Sequence, residues 1–121
     1  MNCIVPKSFY EGLPCSVVSI GCASEKLRGS FDYDKIKSFS EIASANDNYA
    51  TLRSVNEQVR KFFNVKKYTY YTRAERKTLK ECCSGKTAIV CVYGHFVFVN
   101  GDTYYSYFDN ANDKVVAVWE I

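Results

Sequence analysis

The stretch Gly94-His95-Phe96-Val97-Phe98-Val99-Asn100-Gly101-Asp102-Thr103-Tyr104-Tyr105-Ser106-Tyr107-Phe108-Asp109-Asn110 decides the fold. Phe96 to Val99 reads as a strand, Asn100-Gly101 tolerates the positive φ of a tight turn, and Thr103 to Phe108 reads as the returning strand. Just upstream, Thr87 to Tyr93 is an uncharged, β-branched run of the kind found in a central strand buried on both faces. Downstream, Lys114 to Trp119 is expected to complete a meander.

The first half carries helical signals instead. Pro14 has a fixed φ suited to a helix start, and Cys15 to Ala23 follows as a mostly apolar stretch that reads as a buried helix. Its β-branched residues would also suit a strand, and Gly21 weakens a helix by about 1 kcal/mol relative to Ala. From Asp32 to Ala45, Ile36, Phe39, Ile42 and Ala43 allow a second helix, with Ser38 and Glu41 spaced as a capping box. After Asn48, Leu52, Val55, Val59, Phe62 and Phe63 share one stripe while Arg53, Glu57, Arg60 and Lys61 fall elsewhere, which predicts an amphipathic helix. Lys66 to Tyr71 alternates as a strand. Thr72 and Glu75 then have capping-box spacing and open a helix that Ser84-Gly85 would end. Helices first and strands later predict an α+β fold in which N-terminal helices pack on an antiparallel sheet formed mainly by the C-terminal half.

The composition bounds this reading. A chain of 121 residues, 47% hydrophobic and 16% aromatic with two prolines, has enough apolar surface for one core, so residues 1–121 are read as a single domain. Its longest apolar run, Ala88 to Val99, is broken by Gly94 and His95 and is too short to cross a bilayer. No basic segment followed by an apolar one succeeds Met1, so a cytoplasmic protein with no membrane partner is expected, its six cysteines free thiols. Among Cys82, Cys83 and Cys91 no two have the two-to-four-residue separation of zinc-ribbon cysteines, and His95 is a lone histidine beside them, so neither metal nor other cofactor is expected.

Acyl transfer through a thiol needs a cysteine whose thiolate is stabilised, a base to take its proton, and a group to orient that base. Cys15 falls at a helix N-terminus, where unpaired amides and the macrodipole favour negative charge. His95, the chain's only histidine, starts a strand, and Asp109 and Asn110 follow one hairpin later. A two-residue Asn100-Gly101 turn would pair His95 with Ser106 and put Asn110 on its face. A three-residue Asn100-Gly101-Asp102 loop would pair it with Tyr107 and select Asp109. A carboxylate would also stabilise an imidazolium, which favours Asp109 and leaves Asn110 as the alternative orienting residue.

The ordered pair LPCSVVSIGCA and GHFVFVNGDTYYSYFDN resembles the papain-like cysteine peptidases, especially the compact branch related to bacteriocin (double-glycine) leader peptidases. The resemblance implies a papain-like fold over most of the chain, with Cys15 as nucleophile, His95 as general base and Asp109 as orienting residue. The expected activity is hydrolysis of a peptide or isopeptide bond in a peptide or protein substrate. The family's glutamine upstream of the nucleophile has no counterpart from Met1 to Pro14, where Asn2, Ser8 and Tyr10 are the alternative oxyanion donors.

Charge supplies a second expectation. From Arg60 to Lys80, eight basic side chains stand against Glu75 alone in a chain whose net charge is only +3. Interleaved with Tyr68, Tyr70 and Tyr71, this segment could serve an inert papain-like interaction protein, with Lys66, Lys67, Arg73 and Lys77 as its binding residues. An acidic protein is expected as partner ahead of a nucleic acid.

Overall fold

The computed structural model describes residues 1–29, Asp34 and 52–121. The helix expected over Asp32 to Ala45 lies outside the described residues. The fold is α+β, built on a six-stranded sheet ordered β1-β5-β4-β3-β6-β2. The strands are β1 (Asn2–Ile4), β2 (Lys67–Tyr70), β3 (Lys86–Val92), β4 (His95–Gly101), β5 (Thr103–Tyr105) and β6 (Val115–Glu120).

Alternation along β3 and β4, and along β6 past a register shift opposite Cys91 and Val92, gives the sheet two apolar faces. Ile89, Cys91, Phe96, Phe98, Ala117 and Trp119 pack on the first, under α1 (Cys15–Arg28) and α2 (Leu52–Phe62). Ala88, Val90, Val92, Val97, Val99 and Val118 form the second, covered by Leu79 and Cys83 of the short α3 (Leu79–Cys83) and by Tyr104. The α2 stripe is as expected: Val55, Val59 and Phe62 are buried, and Asn56 accepts a 3.0 Å hydrogen bond from the buried Trp119 indole.

Four features differ from the sequence reading. First, the sheet is mixed: β1 pairs parallel with β5, and its three exposed side chains left no apolar pattern to read. Second, β6 does not close a meander beside β5. It crosses to the far side of β3 and pairs there and with β2. Third, the turn lies one residue later than expected. Asn100 pairs with Thr103, so Gly101-Asp102 makes the two-residue loop and Gly101, at φ 66°, takes the left-handed position. Fourth, the segment from Thr72 to Gly85 is not one helix. The Thr72–Glu75 capping box closes only a single 3-10 turn, Arg76 returns to extended backbone, and a second box, Thr78–Glu81, opens α3.

The first helix owes its depth to a glycine. A Cβ at Gly21 would lie 2.5 Å from Cε1 of Tyr10, so only hydrogen there lets the buried Tyr10 ring rest on the helix. The Tyr10 hydroxyl donates to Glu25, which also pairs with Lys7. These contacts fix the segment that leads into Cys15.

Candidate active site

Cys15 is the first residue of α1, with Pro14 as an N-cap that offers no side-chain acceptor. Its half-buried side chain shares a cavity of about 150 Å³ with His95, walled by Leu13, Val18, Phe96 and Phe108. Two positions 80 residues apart therefore face one cleft. Among the described residues no hydrogen bond joins the thiol to the imidazole; the two meet as walls of the cavity. Alternation assigns Phe96 to the helix-bearing face and His95 to the face of Val97 and Val99. The cleft thus lies at the end of β4, where residues of both faces are reached.

The His95 ring is held by a polar chain that begins at a carboxylate. Asn110 donates its amide nitrogen to Asp113 Oδ2 at 2.7 Å, and because a carboxylate only accepts, this fixes which way the amide faces. Asn110 Oδ1 is then left to accept from the Ser106 hydroxyl at 2.5 Å. With its one proton so used, Ser106 Oγ accepts from the Phe108 backbone N–H and meets His95 Nε2, both at 3.1 Å. The ring nitrogen must therefore be the donor. This bookkeeping assigns the proton of neutral His95 to Nε2 and leaves the Nδ1 lone pair free.

Burial holds the His95 pKa below its ordinary 6.5, and Asp113, at the far end of the chain, pulls the other way. At neutral pH the ring is a neutral base. The Phe108 ring stands edge-on to it at 5.5 Å. Ser106 and Asn110 are themselves buried, and β1 secures them: Ser106 N donates to Ile4 O at 3.1 Å, and the Cys3 thiol donates to Ser106 O at 3.4 Å.

The expected orienting residue, Asp109, turns elsewhere. It is exposed, accepting from the Tyr104 hydroxyl at 3.0 Å and from Ala111 N at 3.2 Å. The physical reason is that the ladder ends at the Phe98–Tyr105 pair, and past it the irregular segment aims Asn110 at Ser106 and Asp109 at the Tyr104 hydroxyl. The alternative residue Asn110 is the one joined to His95, through Ser106. Ser106 was not among the expected site residues, because a lone serine in a tyrosine-rich strand carries no pattern. Of the alternative oxyanion donors, none lines the cavity, and Tyr10 spends its hydroxyl on Glu25.

A larger cavity of about 400 Å³ lies beside Tyr10 and Cys22, but burial pushes the Cys22 thiol up to about 12 and no histidine lines it. Among the described residues no group of three His, Cys, Asp or Glu side chains could hold a metal ion, and no helix is long and apolar enough to cross a membrane.

The basic segment is divided by the fold. Lys66 and Lys67 lie at the end of β2 that pairs with Glu120, whereas Arg73 lies beyond its other end, and Lys77 accepts the backbone N–H of Val115. No protein-family model, curated protein or solved structure matches the chain.

Proposed function

We propose that this protein is a thiol-dependent hydrolase of peptide or isopeptide bonds, with Cys15 as nucleophile and His95 as general base. The observation that carries the reading is the shared cleft: a thiol at the N-terminus of a 14-residue helix opposite an imidazole whose tautomer is fixed by Ser106, Asn110 and Asp113.

In this mechanism His95 Nδ1 takes the Cys15 proton and the sulfur adds to the substrate carbonyl carbon. The resulting imidazolium keeps its Nε2–H on Ser106, so the orienting chain need not rearrange. The oxyanion is met by the Cys15 backbone N–H at the positive end of α1. Collapse breaks the C–N bond, and the leaving amine receives the proton from Nδ1. Water, deprotonated by the same nitrogen, then cleaves the thioester and restores the thiol. The succession of Cys-bearing helix, His-bearing strand and amide orienting residue supports a papain-like reading of the fold, with Asn110 acting through Ser106 where Asp109 was expected.

The test is cleavage of a peptide library by wild-type protein and by Cys15→Ala, read by mass spectrometry. Cleavage that depends on Cys15 supports the hydrolase; cleavage unchanged in the variant, or none by either protein, contradicts it. The second reading, an inert interaction protein, is favoured by one specific observation: a cation-lined cavity outside the thiol cleft, formed in part by Arg73.

A further inference from the structure

That cavity, about 350 Å³, is lined by Arg73, Arg76, Tyr93, Lys114 and Val116. Three of its five walls are cationic and none is acidic. Among the described residues no salt bridge occupies Arg73, Arg76 or Lys114, although Glu81 lies within electrostatic reach of Lys114. Arg76 is set in place by neutral partners. Its Nε donates to Tyr71 O at 3.1 Å, its Nη2 donates to the Tyr70 hydroxyl at 3.3 Å, and the guanidinium stands 5.9 Å from the Tyr70 ring centroid. A planar cation fixed this way, with its charge unspent, is organised to receive an oxyanion.

Its position says which one. Tyr93, 81% exposed, and Gly94 make the turn that delivers His95 into the thiol cleft, and Tyr93 N donates to Lys114 O at 3.3 Å. Thiol cleft and basic cavity thus occupy the same end of the sheet, on either side of the Tyr93-Gly94 turn. An extended peptide laid over that turn would present one residue to Cys15 and a nearby one to the cations.

We infer that the Arg73–Arg76–Lys114 cavity is the subsite for an acidic side chain of a peptide bound across the Cys15 cleft. The inference rests on the hydrolase reading for its choice of a peptide over other anions. Charge complementarity sets the preference, and Tyr93 supplies an aromatic surface for the peptide's flank.

Two fluorescein-labelled peptides, identical except that one carries two adjacent Glu where the other carries two Gln, test this by anisotropy on the Cys15→Ala protein. The Glu peptide is expected to bind about tenfold tighter, with the preference shrinking as salt is raised. Arg73→Gln with Arg76→Gln should abolish the preference while circular dichroism stays unchanged. If that pair fails to fold, Lys114→Gln, on an exposed side chain, should reduce the preference alone. Equal binding of the two peptides, a preference untouched by the substitutions, or tighter binding of a single-stranded oligonucleotide would overturn the subsite. Wild-type turnover separates the two ideas: binding with the preference but without cleavage removes the hydrolase and supports the subsite, whereas cleavage of both peptides at equal kcat/KM removes the subsite and leaves the hydrolase.

Discussion

Asp113 decides the orientation of Asn110: the 2.7 Å bond from Nδ2 to the carboxylate turns Oδ1 toward Ser106 and, through that hydroxyl, fixes the proton on His95 Nε2. A surface carboxylate thereby controls which ring nitrogen is left as the base. In Asp113→Ala the amide loses this purely accepting partner, and the Ser106 proton becomes free to turn toward the ring. Long-range nitrogen–proton NMR of the His95 ring should show the Nε2–H tautomer in the wild type and a mixture in the variant. A wild-type ring protonated on Nδ1 would contradict the assignment.

Ser106→Ala removes the relay and strands Asn110 Oδ1, which is buried. Leaving such a group without a partner costs about 1–3 kcal/mol, to be read in urea unfolding. Turnover should fall by up to about 10²-fold, in kcat more than in KM, because the serine orients the base without touching substrate. A KM effect alone would place Ser106 in substrate binding.

Folding stability should depend on pH through His95. Its pKa in the folded protein lies below the ordinary 6.5, so the unfolded chain binds the proton more readily. The stabilisation is complete above 6.5 and is lost as pH falls from there toward the lower folded value. His95→Gln should flatten this part of the pH–stability curve. An equal slope in the variant would assign the effect to other groups.

Gly21→Ala should destabilise by about 1–3 kcal/mol, since the new Cβ would meet Tyr10 Cε1 at 2.5 Å. The gain in helix propensity, about 1 kcal/mol, opposes this without cancelling it. Chemical denaturation of Gly21→Ala, Tyr10→Leu and the double variant should show the two changes to be coupled. Simple additivity would mean that the ring and the helix do not press on each other.

What the sequence disclosed follows from which interactions leave a periodic trace. The α2 stripe and the central β3 and β4 strands were legible because burial imposes a period on their side chains. Strand β1 was not, since its three side chains are all exposed and leave no apolar pattern. The hairpin was legible but its register was not: Asn100-Gly101 and Gly101-Asp102 are both acceptable turns, and only the folded ladder chooses between them. Either two-residue turn opposes even-numbered residues to His95; Asp109 was expected for its charge and from a three-residue loop that does not form. Cys15 and His95 could be singled out by type and context, while Ser106 took its role from the irregular path after Tyr105. The second capping box, Thr78 to Glu81, has the same spacing as the first and was readable in the chain.

The most direct test of the account is the order in which the cysteines react with iodoacetamide at mildly acidic pH, mapped by mass spectrometry in wild type and His95→Gln. Cys22, Cys83 and Cys91 are buried, with thiols pushed up by desolvation, so the contest is among Cys3, Cys15 and Cys82. Cys15 is predicted to react first, about tenfold ahead of the more exposed Cys3, and to lose that lead in the variant. Cys3 reacting first in both proteins would contradict a working thiol–imidazole pair.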